Sequence, residues 1–208
     1  MNSHAADSDI KTSWIIIVLY TGLIFATLAD VVLIMDVVER FMGDILNTIL
    51  SILPLSIMAL LLGYLIIIKK ETRPWRYFLM IFVIVSATVM LRFIPYPAEK
   101  VHLVEYGVLG WMVYRAALIG GGGIVSGFFW TMALALTIGT ADEIVQSFLP
   151  MRVFDFRDIV INFHSGILGA VVYTVFSPRL EDEPEADAPS EDAHHDDPGD
   201  TPGGDGAP

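Results

Sequence analysis

The chain has 208 residues, is 54% hydrophobic and carries a formal net charge of −12 at neutral pH. Eleven of its 24 acidic residues lie within residues 181–208, so residues 1–180 are close to neutral. The absence of cysteine excludes disulfides, thiol catalysis and cysteine-ligated metal sites. No basic stripe or nucleic-acid motif is present, so nucleic acid is not an expected partner.

Successive apolar runs predict an all-α fold, a polytopic membrane helix bundle of about six transmembrane helices. A helix needs roughly 20 residues to cross the hydrocarbon of a bilayer. Polar residues interrupt the last three runs, so five spans is the rival count. The predicted spans are residues 14–35, 46–68, 77–94, 101–119, 128–149 and 159–176.

The two ends of the chain are predicted to be disordered. Residues 1–13 form a short leader, and the first span is too long for a cleavable signal sequence. The acidic tail, residues 177–208, cannot bury enough apolar surface to offset the entropy of ordering. Between them we expect N-terminal transmembrane helices at residues 14–74 and a second membrane domain at residues 75–176.

The loop after the second span predicts the orientation. It contains Lys69, Lys70, Arg73 and Arg76, the densest basic patch in the chain. Because short cytoplasmic loops are enriched in Lys and Arg, this loop is expected in the cytoplasm. With six spans, both termini are then cytoplasmic.

Three spans are predicted to place polar side chains at the same, outer, end of the bundle. His102 opens the fourth span, Glu143 ends the fifth and Asp158 opens the sixth. An ionised group at the centre of a membrane helix costs about 2.5–3.5 kcal/mol or more, so such residues are usually paired or functional. We therefore predict one intramembrane polar cluster as a binding site. Its members are Lys100, His102, Glu105, Tyr106, Asp142, Glu143, Gln146, Arg152, Arg157, Asp158 and Asn162.

Each feature of the cluster also has a structural interpretation. Asp142, Glu143 and Gln146 share one face of a helix and could form a hydrogen-bonded knot between helices. The stripe around Ser165 and Gly169 in the sixth span is small as well as polar, and is expected to pack against the fourth or fifth span.

The favoured function is that of a non-enzymatic binding protein. Arg152, Arg157 and Lys100 would meet the anionic head group of a membrane lipid or lipid-linked envelope precursor, since Arg is a two-pronged donor to phosphate. The same pocket could instead hold a membrane protein partner.

Two other functions stay open. A membrane enzyme could use His102, Glu143 and Asp158 for acid–base chemistry, or for chemistry assisted by Mg²⁺ or Mn²⁺, on a lipid-linked substrate. A proton-coupled carrier could use Glu143 and Asp142, although no internal repeat is found. We assign no catalytic residue, no metal and no cofactor.

The cluster resembles the signature of the VanZ-like family over about residues 75–176. The first half of the signature is matched by Lys100, His102, Tyr106, Leu109 and Gly110. The second half is matched by Asp142, Glu143, Gln146, Pro150, Arg152, Asp158, Asn162, Gly166 and Gly169. The sequence departs from the family pattern at Met151, where Gly is common, and at His164 and Ser165, where small apolar residues are usual.

The resemblance implies a bacterial protein of the plasma membrane. The family's namesake is associated with low-level resistance to the glycopeptide antibiotic teicoplanin, and the molecular activity of the family is not established in general. The resemblance therefore implies a fold and a cell-envelope location rather than a reaction.

Overall fold

The computed structural model describes residues 3–149 and 152–177. In this part of the chain the regular elements are all helical, as the apolar runs predicted. A π-helical turn, Tyr64–Ile68, continues the second helix. The six α-helices are α1 Ser3–Met42, α2 Asp44–Gly63, α3 Pro74–Phe93, α4 Pro97–Ile119, α5 Ile124–Gln146 and α6 Phe156–Phe176.

The N-terminal leader differs from the expectation, because α1 is already helical from Ser3. Lys11 and Asp7 form an ion pair one turn apart at 3.0 Å, and the Ser13 hydroxyl donates to the Asp9 carbonyl. These local contacts extend the helix of the first span backwards into the polar segment. Residues 1–2, 150–151 and 178–208 lie outside the described residues, and with them most of the acidic tail and Pro150 and Met151 of the signature.

Five of the described helices are long and apolar enough to cross a membrane, and α4 is the exception. Its 23 residues reach about 34 Å, which is sufficient to span the hydrocarbon. Thirteen of these residues are buried, against two of the 20 in α2. Because its neighbours bury more than half of α4, it can carry polar residues that a lipid-facing helix could not. Five of the described helices therefore meet both requirements for a membrane span, and α4 meets the requirement of length.

A seam of glycines joins α4 to α6. A Cβ atom added at Gly110 would overlap the Gly166 carbonyl group, and one added at Gly169 would overlap the Gly107 carbonyl group. Small residues let membrane helices approach closely. The small stripe of the sixth span packs against α4 along this seam, as predicted, and it also meets α5, where Gly166 faces Ala135.

Successive helices run in alternating directions, which brings three helix ends together. Tyr106 of α4 contacts Asp142 near the end of α5, and Glu99 at the start of α4 contacts Arg157 at the start of α6. We call this the polar end of the bundle. The loop of residues 69–73 lies at the opposite end, which we call the loop end.

Candidate functional site

The centre of the polar end is the carboxylate of Asp142, which is fully buried. It accepts a hydrogen bond from the Tyr106 hydroxyl at 2.9 Å and another from the Gln146 amide at 3.0 Å. Tyr106 belongs to α4, whereas Gln146 lies one turn along α5 from Asp142. The carboxylate therefore fixes the register between the two helices, as the shared helical face suggested.

His102 lies beside this centre and contacts side chains through both ring nitrogens. Nδ1 is 3.2 Å from Glu105 Oε2 and 3.8 Å from Asp142 Oδ2, while Nε2 is 3.4 Å from the Gln146 amide nitrogen. A protonated imidazole would be attracted to both carboxylates. His102, Glu105, Tyr106, Asp142 and Gln146 thus come together as predicted.

A second group of polar side chains, from α5 and α6, is less completely hydrogen-bonded. Glu143 Oε1 accepts from the backbone amide of Asp155 at 2.6 Å, which ties the loop before α6 to α5. Within the described part of the chain, Glu143 Oε2, Asp158 Oδ1 and Asn162 Oδ1 are buried without a hydrogen-bond donor. A buried polar atom without a partner costs about 1–3 kcal/mol, so these oxygens can receive a proton or a donor from a ligand.

Arg157 is held by carboxylates. One terminal nitrogen lies 2.8 and 2.9 Å from the two oxygens of Glu99, and 3.3 Å from Asp155. Its Nε is 3.7 Å from Asp158. Sequence reasoning missed Glu99, although an acid at the start of the fourth span was a natural partner for a base at the start of the sixth.

Lys100 departs from the expected cluster. It lies on another face of α4, where its ammonium donates to Ser51 Oγ at 2.6 Å and to the backbone and side-chain oxygens of Asn47. The two partners belong to α2. Lys100 is therefore separated from Arg152 and Arg157, with which it was expected to bind one head group.

Arg152 lines a small cleft at the polar end. The cleft has about 10 Å³ of free volume and is bordered by His102, Glu105 and Gln146, with α1 on the other side. Within the described residues, no carboxylate lies within 4.0 Å of the Arg152 guanidinium, whose side chain is half-buried. Among the three basic residues predicted for the site, Arg152 is the one that borders this cleft.

The described residues offer no metal site that would support the enzymatic alternative. Across residues 3–149 and 152–177, no group of three or more His, Asp or Glu side chains is arranged to hold a metal ion. The acid–base form of that alternative depends on His102, which is buried among its partners.

A polar contact that sequence reasoning missed joins α3 to α6 near the middle of the bundle. Ser86 Oγ lies 2.7 Å from His164 Nε2, and both side chains are half-buried. Their spacing of 78 residues hid the pairing. His164 departs from the family pattern, and an imidazole inside a bundle needs a hydrogen-bond partner. The spans with a hydroxyl side chain near their middle were the candidates for that partner.

The loop end carries a charged group of its own, centred on Glu71. One carboxylate oxygen lies 2.7 Å from the Arg76 guanidinium and 3.7 Å from Lys69, and the other accepts from the Arg73 amide at 3.2 Å. Burial raises the pKa of Glu71, but the Arg73 amide and the charges of Arg76, Lys69 and Arg73 outweigh it and hold this pKa below its usual value. The basic patch is therefore built around one carboxylate.

Comparison with models of protein families gives a match. A family model described as VanZ/LLP1 matches residues 14–177, which covers most of α1, all of α2 to α6 and Ser177. The match extends the resemblance from residues 75–176 to the first two helices. No curated protein and no solved structure matches the chain.

Proposed function

Because the chain belongs to the VanZ/LLP1 family and forms a membrane helix bundle, we propose that it binds the anionic head group of a membrane lipid or lipid-linked envelope precursor at its polar end. The bundle would lie in the bacterial plasma membrane with the polar end outward and both termini cytoplasmic. The basic loop of residues 69–73 at the opposite end supports this orientation.

The proposal rests on the surroundings of the Arg152 guanidinium. Arg157 is neutralised by Glu99, and Lys100 is turned towards α2, whereas Arg152 borders the cleft beside Glu105 and has no carboxylate within 4.0 Å in the described residues. A guanidinium offers a planar, two-pronged donor that matches a phosphate or carboxylate. The cleft is too small for a head group to enter, so the ligand would contact Arg152 at the rim.

The surrounding cluster would orient this base. His102, Glu105 and Gln146 border the same cleft and are linked to the Asp142 centre. A site held by buried hydrogen bonds loses little side-chain entropy when its ligand binds. The ligand would therefore meet a preformed rim.

The experiment compares Arg152→Gln with Arg92→Gln in the full chain. Arg92 is exposed in the last turn of α3, at the same end of the bundle, and provides the matched control. Each protein is exchanged into nanodiscs of phosphatidylglycerol or phosphatidylcholine, and retained lipid is counted by native mass spectrometry. A hydrogen bond to a charged group contributes about 1.5–3 kcal/mol, so Arg152→Gln should lower phosphatidylglycerol retention about tenfold or more. Arg92→Gln removes only one cation near the membrane surface, about 1 kcal/mol, and should lower retention no more than about fivefold.

Two outcomes would contradict the proposal. Equal losses in the two variants would mean that general surface charge, rather than the cleft, retains the lipid. No loss in Arg152→Gln would remove Arg152 from the site.

A link to glycopeptide resistance forms the cellular part of the proposal. Expression of the chain in a teicoplanin-susceptible host should raise the inhibitory concentration, and Arg152→Gln at equal membrane abundance should abolish the increase. An increase that survives this substitution would separate resistance from the cleft.

The enzymatic alternative rests on the contacts of His102 with Glu105 and Asp142. It predicts that His102→Gln and Glu143→Gln each abolish the resistance phenotype while folding and lipid retention stay normal. The binding proposal predicts that loss of phenotype and loss of lipid retention occur together.

A further inference from the structure

An apolar groove lies between α2, α3, α4 and α6, on a different face of α4 from the cleft. Its volume is about 280 Å³ and its walls are almost entirely apolar. The α4 wall is formed by Leu103, Val104, Gly107, Val108 and Trp111. Their spacing of three and four residues forms one stripe along the helix.

The same stripe continues one turn further to Lys100, towards the polar end. Lys100 is only 4% exposed, and its three donors reach Asn47 and Ser51 of α2. Within the described residues no carboxylate lies within 4.0 Å of this ammonium. The groove thus has apolar walls and, near one end, a buried positive charge with neutral partners.

Asn47 can transmit the electrostatic effect of this charge to a ligand. Lysine can only donate, so the side-chain atom of Asn47 that faces it must be the carbonyl oxygen, and the amide NH₂ points elsewhere. Ser51 accepts from Lys100 and donates to the backbone carbonyl of Asn47 at 2.8 Å. In the described part of the chain the Asn47 NH₂ has no acceptor, and the side chain is half-buried. The ammonium polarises this amide towards donation.

We propose that this groove is a second lipid site, which holds one acyl chain of an anionic glycerophospholipid with its phosphate at Asn47. The charge of Lys100 selects the head group, and the groove receives the chain. An acyl chain already lies in hydrocarbon, so moving it into the groove adds packing but little hydrophobic free energy. Preference for one lipid over another therefore comes from the head group. The site is independent of Arg152 and goes beyond the proposed function.

Trp111 provides the measurement, because it lines the groove and is 40% exposed. A protein with Trp111 as its only tryptophan is made by replacing Trp14, Trp75 and Trp130 with Phe. It is reconstituted with lipids that carry brominated acyl chains, which quench tryptophan on contact. Brominated phosphatidylglycerol should quench at a lower mole fraction than brominated phosphatidylcholine.

Variants in this background test the two parts of the site. Lys100→Gln should reduce the preference for phosphatidylglycerol about fivefold, the effect of removing one cation near the surface. Val104→Phe fills the groove and should lower the maximal quenching by both lipids. Val18→Phe replaces a similarly lipid-accessible valine on α1, outside the groove, and should change neither quantity.

A further variant covers the case in which Lys100→Gln fails to fold. Asn47→Asp keeps the contacts of Lys100 and neutralises its charge, so it should abolish the preference. Equal quenching by the two lipids, or a preference that persists in Asn47→Asp, would overturn the proposal. Arg152→Gln should not change the preference for phosphatidylglycerol that is measured by quenching of Trp111. Loss of this preference in Arg152→Gln would instead assign it to the cleft.

Discussion

The two ends of the bundle both bury carboxylates, but they satisfy them differently. At the loop end, Glu71 receives donors on both oxygens and has two cationic side chains within 4.0 Å. At the polar end, Glu143 receives one backbone amide on one oxygen, and the other oxygen is buried without a donor in the described residues.

This difference separates a structural ion pair from a candidate site. A carboxylate that is fully paired has no capacity for a further donor, whereas one with a free buried oxygen can accept a proton or a ligand group. The loop end therefore closes the bundle, and the polar end is where binding is expected. Four substitutions or conditions test this comparison.

The largest effect is expected for Glu71→Ala. It leaves the fully buried Arg76 without this carboxylate, and breaking a buried ion pair costs about 3 kcal/mol or more. Unfolding by denaturing detergent should show this loss of stability, and Glu39→Ala, at an exposed position of α1, should not. Similar stability of the two variants would mean that the loop end is not closed by the pair.

Tyr106→Phe is expected to follow, at the polar end. It removes the hydroxyl that donates to the buried Asp142, and a hydrogen bond to a charged group contributes about 1.5–3 kcal/mol. The same unfolding assay applies. Tyr96→Phe, which alters an exposed tyrosine, serves as the control. A loss no larger than that of the control would mean that the hydrogen bond between Tyr106 and Asp142 does not stabilise the cluster.

A change of pH should weaken the loop end selectively. The pKa of Glu71 is lower in the folded protein than the value of about 4.3 for an unperturbed glutamate. Its contribution to stability is therefore complete above the unfolded pKa and is lost as the pH falls through the folded pKa. The stability difference between the native protein and Glu71→Gln should be constant near neutral pH and shrink below about pH 4.3. Shrinkage that begins near neutral pH would contradict the lowered pKa.

The smallest effect is expected for Glu143→Gln. The amide keeps an acceptor for the Asp155 backbone and adds a donor beside oxygens that lack one, so stability should change by less than about 0.5 kcal/mol. Glu71→Gln is the counterpart, because there the new donor faces a cation and stability should fall. Equal losses of stability in Glu143→Gln and Glu71→Gln would mean that the carboxylates at the two ends do not differ in their pairing.

Local spacing explains which parts of the site could be predicted. Asp142 and Gln146, or His102 and Tyr106, lie one turn apart on one helix, so their common face follows from the helical period. The convergence of three helix ends follows from the alternation of spans. These relations need no knowledge of how distant helices pack.

Contacts between distant helices could not be predicted in the same way. The partner of Lys100 depends on which face of α4 meets α2, and the glycine seam with α6 constrains this rotation. Glu99 and Arg157 are 58 residues apart, and their pairing depends on the same rotation. The helical start of α1 was missed because one ion pair and one hydrogen bond, each spanning one turn, stabilise a segment whose composition looks disordered.

The internal position of α4 has a consequence for biogenesis. A helix with Glu99, Lys100, His102, Glu105 and Arg115 is a poor substrate for release into lipid on its own. We expect it to remain at the translocation machinery until α6 has been synthesised and can cover its glycine face. Reporter fusions truncated after Ile119 should then insert inefficiently, and fusions extended to Phe176 should insert fully.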